Sequence, residues 1–218
     1  MPPQLLFASA MLLAAGTSVW DEHQNAGRAF VVLVDDARYA ADEVQSAGRL
    51  LGLLRDEVFT ARDLVSIVST GMSSVETELR YMGDRRNLNG PIRRIVTRPP
   101  SMTVMPAAVV DAAQLRYDAY LALLTARHVV ERLAQLKDRP KHLVLLTSGA
   151  TSAAVLGAAL ASERASGEPS APAKRSIEPA ALMRGVAELA AAARHADVTM
   201  HTLDVRDPAS LEVLRQLK

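Results

Sequence analysis

The chain has 218 residues, 49% of them hydrophobic and 4% aromatic, and its 25 basic and 24 acidic side chains leave a net charge of +1. That is material for one large domain with a full core, and scattered charge without a basic, aromatic-laced stripe speaks against nucleic-acid binding. The absence of cysteine excludes a disulfide framework, thiolate catalysis and cysteine-ligated zinc.

The first apolar run, Leu5 to Ala15, is too short to span a bilayer, and Ala14-Ala-Gly16 offers a small-residue cleavage site. Residues 1–26 are therefore read as a signal peptide or leader. That reading makes the protein secreted or envelope-associated, with membrane association only through this signal or anchor. No Lys or Arg precedes the run, so two other readings stand: a first helix packed on the domain of a cytoplasmic protein, or the truncated end of a larger one.

Residues 27–218 read as one domain. Phe30-Val-Val-Leu-Val-Asp-Asp36 predicts a buried strand ending in two acids. Ala40, Val44, Ala47, Leu51 and Leu54 recur at helical spacing, and Leu64 to Thr70 predicts a second strand. Val75 to Tyr81 reads as a short edge strand, Asp84 to Asn89 as a polar turn, and Leu88 to Ile95 as a short helix before the break at Arg98-Pro-Pro-Ser101. Leu115, Ala119, Leu123, Ala126, Val130, Leu133 and Leu136 stripe the longest helix, which Asp138-Arg-Pro140 ends. His142 to Thr147 is apolar almost throughout and is expected at the centre of the sheet. Ser162 to Ser176, with no apolar periodicity, predicts a mobile insertion. Glu178-Pro179 opens a helix that buries Leu182, Val186, Leu189 and Ala193, followed by a strand from Val198 to Leu203 and a helix from Pro208 to Leu217. Strands alternating with helices predict an α/β fold: a doubly wound, mostly parallel central sheet flanked by helices, with ligands at the carboxyl ends of its strands.

The order of segments resembles a von Willebrand factor type A domain, more narrowly the secreted bacterial proteins called VWFA-related. The stretches that carry it are Phe30 to Asp36, Asp63-Leu-Val-Ser-Ile-Val-Ser-Thr-Gly71, Val129-Val-Glu-Arg-Leu133 with Lys141-His-Leu-Val-Leu-Leu-Thr-Ser-Gly149, and Ala192 to Asp204. The resemblance implies protein binding at the carboxyl edge of the sheet through a metal-ion-dependent adhesion site. The family pattern is Asp-x-Ser-x-Ser after the first strand, a later Thr and an Asp after the fourth strand. Asp35 matches the first Asp, whereas Ala37 and Tyr39 replace the serines, Thr103 stands where the Thr would fall, and Thr147-Ser-Gly149 brings no acid. The site is therefore degenerate. The family sheet also closes with a further edge strand, which is not read after Leu217.

The candidate ligands are thus Asp35, Asp36, Thr103 and Ser148, with Ser69 as a further hydroxyl, holding magnesium or manganese weakly or not at all. The structural alternative makes Asp35 and Asp36 caps of the next helix. Nucleophile-elbow, phosphate-loop and His-Glu-x-x-His motifs are missing, as is a glycine-rich turn after the first strand. The Val-Asp-Asp ending is shared with response-regulator receivers, but the comparable strand ends, Ser69-Thr70 and Thr147-Ser148, carry no Asp to phosphorylate, and Asp204-Val205 stands where their lysine would end the last strand. The five histidines are dispersed, with His201 expected to pack or pair locally. The expectation is a non-enzymatic protein-binding module, with a magnesium-dependent α/β hydrolase or phosphoryl-handling enzyme using Asp35 and Asp36 as the alternative, and a vestigial scaffold as the third.

Overall fold

The structure, a computed structural model, describes residues 27–71, 73–97, 112–148 and 177–218. The expected leader, Thr103 and the expected insertion at 162–176 lie outside the described residues.

Five strands form one sheet: β1 (Ala29–Val34), β2 (Leu64–Ser69), β3 (Arg80–Tyr81), β4 (Lys141–Thr147) and β5 (Val198–Asp204). Their order is β3-β2-β1-β4-β5, parallel throughout except for β3 against β2. The helices are α1 (Ala41–Leu53), α2 (Asn89–Val96), α3 (Ala112–Ala134), α4 (Pro179–His195) and α5 (Ser210–Gln216). This is the doubly wound α/β architecture expected from the alternation of strand and helix. The centre is β1, all six of whose residues are buried. β4 is an inner strand as expected, paired with β1 on one side and β5 on the other, although Lys141, His142 and Leu145 are half-buried.

Because successive strand residues face opposite sides, β1 feeds two cores. Phe30, Val32 and Val34 join Leu50, Leu51, Phe59, Ile95 and Leu214 beneath α1, α2 and α5. Val31 and Leu33 join Val129, Leu133, Leu189 and Ala193 beneath α3 and α4. Each such large side chain, fully buried, contributes about 1.5–3 kcal/mol.

Local chemistry explains the boundaries. α1 starts where the Glu43 carboxylate accepts the Ala40 N–H at 2.7 Å, and it widens into a π-turn at Leu54–Val58 that buries both end residues. Asp84 accepts the Arg86 N–H at 3.0 Å and turns Arg85–Leu88 into a 3-10 helix rather than a plain turn. Asp197 takes φ 53 between α4 and β5, a left-handed conformation that Asp tolerates better than most residues.

Two expectations need correcting. The edge strand predicted over Val75 to Tyr81 reduces to Arg80–Tyr81 plus an isolated bridge from Val68 to Glu76. The Thr77 N–H still donates to the Ile67 carbonyl at 3.0 Å, but the Thr77 hydroxyl accepts the Ile67 N–H at 2.8 Å and Ser66 Oγ donates to the Thr77 carbonyl, so side chains take over part of the pairing and no regular ladder runs between the two stretches. Val186 is 40% exposed, although Leu182, Leu189 and Ala193 are buried as expected. α4 leans on α3 through Gly185, whose Cβ position lies 3.3 Å from Leu123 Cδ1, and through the Arg127–Glu188 ion pair at 3.1 Å. Among the described residues, no helix is long and apolar enough to cross a membrane.

Candidate functional site

The strand order reverses between β1 and β4: the chain moves outward from β1 to β2, then returns to pair β4 on β1's other side. In open α/β sheets such a point leaves a crevice at the carboxyl ends of the two strands, where ligands bind. Asp35 and Asp36 leave β1 at that point. The Asp35 N–H donates to the Leu146 carbonyl at 2.8 Å, which sets the acids beside Thr147 and Ser148, both buried. The structure therefore brings Asp35, Asp36 and Ser148 to one edge.

The two acids do different work. Asp35 Oδ1 accepts the Thr70 hydroxyl at 2.8 Å, linking the ends of β1 and β2. Asp36, 1% exposed, accepts the Gly71 N–H at 2.8 Å and the Ser73 N–H at 3.3 Å. The approach is close enough that a Cβ on Gly71 would stand 2.5 Å from both Asp36 Oδ1 and the Ala37 nitrogen. Neither acid caps α1, whose first turn is held by Glu43. Ser69 is likewise used locally, its hydroxyl accepting the Val75 N–H at 2.8 Å.

Tyr39, at a position where the family pattern has serine, fills the floor of the crevice. Its ring is buried, and its hydroxyl donates to the Leu146 carbonyl at 2.9 Å. Burial, followed by the charges of Asp35, Asp36, Glu43 and Asp204, pushes its pKa well above the ordinary range. Tyr39 therefore remains a protonated donor and records a negative field at this edge. Tyr39→Phe is expected to cost about 0.5–1.5 kcal/mol, one neutral hydrogen bond, measured by urea denaturation. Arg38 closes one side through Asp118 of α3 at 2.6 Å. Arg206 closes another, 3.4 Å from Asp204 and 3.7 Å from Glu43.

Tyr39, Thr70, Glu43 and Asp204 are the site residues that sequence reasoning missed. Asp204 carried a legible signal, since it ends the last strand as Asp35 ends the first. A cavity of about 490 Å³ adjoins the edge, running from Ser69 and Ser74 past Glu76 to Leu124, His128 and Arg132. The Arg132–Glu76 ion pair crosses it at 3.2 Å.

A hard divalent ion needs about six oxygen ligands in near-octahedral order. Among the described residues, no three of His, Asp, Glu or Cys converge as metal ligands. Asp36 is turned toward the Gly71 and Ser73 amides, and the Tyr39 hydroxyl toward Leu146. Asp35 and Ser148 alone do not make up such a shell, so the described donors do not fit the adhesion-site ion.

Compared with models of known protein families, the chain matches none, and no curated protein matches it.

Proposed function

We propose that this chain is a non-enzymatic protein-interaction module of the von Willebrand factor A type, secreted or envelope-associated, that binds a protein partner at the carboxyl edge of its sheet without a resident metal ion. The observation that carries the reading is the acidic pair at the switch point. Asp35 lies there beside Ser148, with a negative field around Tyr39 and no metal cage among the described residues. An edge of that character favours a partner that brings its own cation, a Lys or Arg side chain, to the crevice. Asp35 and Ser148 make the polar contact, Asp36 holds the β2 loop and adds to the field, and the neighbouring groove extends the contact surface. The segment order shared with the type A family supports the same edge.

The test is affinity capture on the immobilised chain beside Asp35→Asn and Ser148→Ala, each with and without chelator, with the captured partner then purified and titrated. Capture that survives the chelator and falls at least about tenfold with Asp35→Asn is expected. Calorimetric titration with magnesium and manganese is expected to show no saturable site. A saturable site lost in Asp35→Asn, or magnesium-dependent turnover of a phosphate ester, would overturn the reading in favour of a metal adhesion site or an enzyme.

A further inference from the structure

Away from the acidic edge, His142 is the second residue of β4 and His201 the fourth of β5. Parallel pairing sets Val144 opposite His201, so the two histidines are diagonal neighbours on one face, that of Phe30 and Leu203. His142 Nδ1 lies 3.2 Å from His201 Nε2. The His142 ring stacks on Phe30 at 4.7 Å between centroids, which fixes its plane in a packed core rather than leaving it to rotate.

Two nitrogens on one tetrahedral ion with metal–nitrogen bonds of about 2.0–2.1 Å stand about 3.3 Å apart. The two nitrogens, which share a hydrogen bond at 3.2 Å, stand close to that bite, so an ion would replace the hydrogen bond with little movement of either ring. Imidazole nitrogens suit zinc, nickel and copper rather than magnesium or calcium. Both rings are half-buried and so within reach of solvent. The Arg28 guanidinium, which lies over the Phe30 ring, is ion-paired with Asp63 at 3.1 Å, so the local field is not that of an unopposed cation. Among the described residues no carboxylate or third imidazole joins the pair.

We propose that His142 and His201 form a two-histidine site for a late first-row divalent ion, with water completing the shell. The ion would tie β5, an edge strand among the described residues, to β4. It is independent of the acidic edge, takes a different class of metal, and stands whether or not that edge binds protein.

The full chain, stripped with EDTA and placed in a non-chelating buffer, is titrated calorimetrically with zinc and with nickel, beside His142→Ala and His201→Gln. His201→Gln keeps a polar side chain on an outer strand, and its melting curve by circular dichroism verifies folding should His142→Ala fail to fold. One saturable site per chain is expected, weakened at least about tenfold in His201→Gln, with zinc raising the melting temperature of the native chain only. Paramagnetic nickel should broaden the ring protons of His142 and His201 before those of His23, His128 and His195. The absence of a saturable site in the native chain, undiminished affinity in a folded His201→Gln, or broadening centred on another histidine would overturn the proposal.

Discussion

Asp63→Ala is expected to cost about 3–5 kcal/mol of folding stability, the usual loss when one partner of a buried ion pair is removed. Asp63 is 1% exposed and accepts four hydrogen bonds: from the Arg28 N–H at 2.8 Å, Arg28 Nε at 3.4 Å, Arg28 Nη2 at 3.1 Å and the Thr60 N–H at 2.8 Å. The same guanidinium donates to the Val58 and Leu217 carbonyls. One carboxylate therefore fixes the entries to β1 and β2, the end of the π-turn and the end of α5. Removing it leaves the half-buried Arg28 guanidinium over Phe30 without its counter-charge. A domain of ordinary stability has about 5–15 kcal/mol to lose, so the variant should lose at least about a fifth of the native urea midpoint. Asp63→Asn, which keeps an acceptor for the amides, should lose less. Burial raises the Asp63 pKa, but the Arg28 and Thr60 hydrogen bonds outweigh it and hold the carboxyl below its ordinary range. The sign follows: stability from this group is fully present above the unfolded carboxylate pKa of about 4 and is lost as pH falls through the lower folded value. Acid titration of the native chain should show this loss below about pH 4, and Asp63→Asn should lack that component.

Most of the scaffold is legible in the chain because its strands are short apolar runs and its helices hold a 3.6-residue stripe. The failures have specific causes. Val75 to Tyr81 reads as a strand because its alternation is real, yet the Thr77 hydroxyl, not its carbonyl, takes the Ile67 N–H, a side-chain choice that periodicity does not encode. Val186 fits the buried stripe of α4 in sequence, but α4 meets α3 through the neighbouring Gly185 and Glu188, a packing choice that the stripe does not encode. At the site, the placement of Asp35 and Asp36 at a strand end is legible, since such ends meet at one edge of a parallel sheet. Their division of labour is not, because Asp36 finds its amides 35 residues away and Tyr39 finds its carbonyl 107 residues away. The histidine pair is hidden for the same reason. His201 is read as pairing locally, whereas its partner follows only from the β4–β5 register.

Asp36→Ala is expected to cost about 2–4 kcal/mol, and the loss should be concentrated in one loop. The carboxylate satisfies the Gly71 and Ser73 amides, and each buried donor left without an acceptor costs about 1–3 kcal/mol. Part of that is offset, because the variant no longer keeps a charge out of water. Asp36→Asn retains a carbonyl oxygen for one amide and should cost about half as much. Urea denaturation gives the total, and hydrogen exchange at Gly71 and Ser73 gives its location. Both amides should lose protection while those of β1 and β4 keep theirs. The result also bears on the binding edge, since the Thr70 hydroxyl that engages Asp35 lies at the start of the same loop. Loop opening in Asp36→Ala should therefore weaken partner capture even though Asp36 touches no partner, and Asp36→Asn should restore much of it. A variant with unchanged stability and fully protected Gly71 and Ser73 would show that other contacts hold the loop. Asp36 would then act at this edge through its charge alone, and its capture defect should shrink as salt is added.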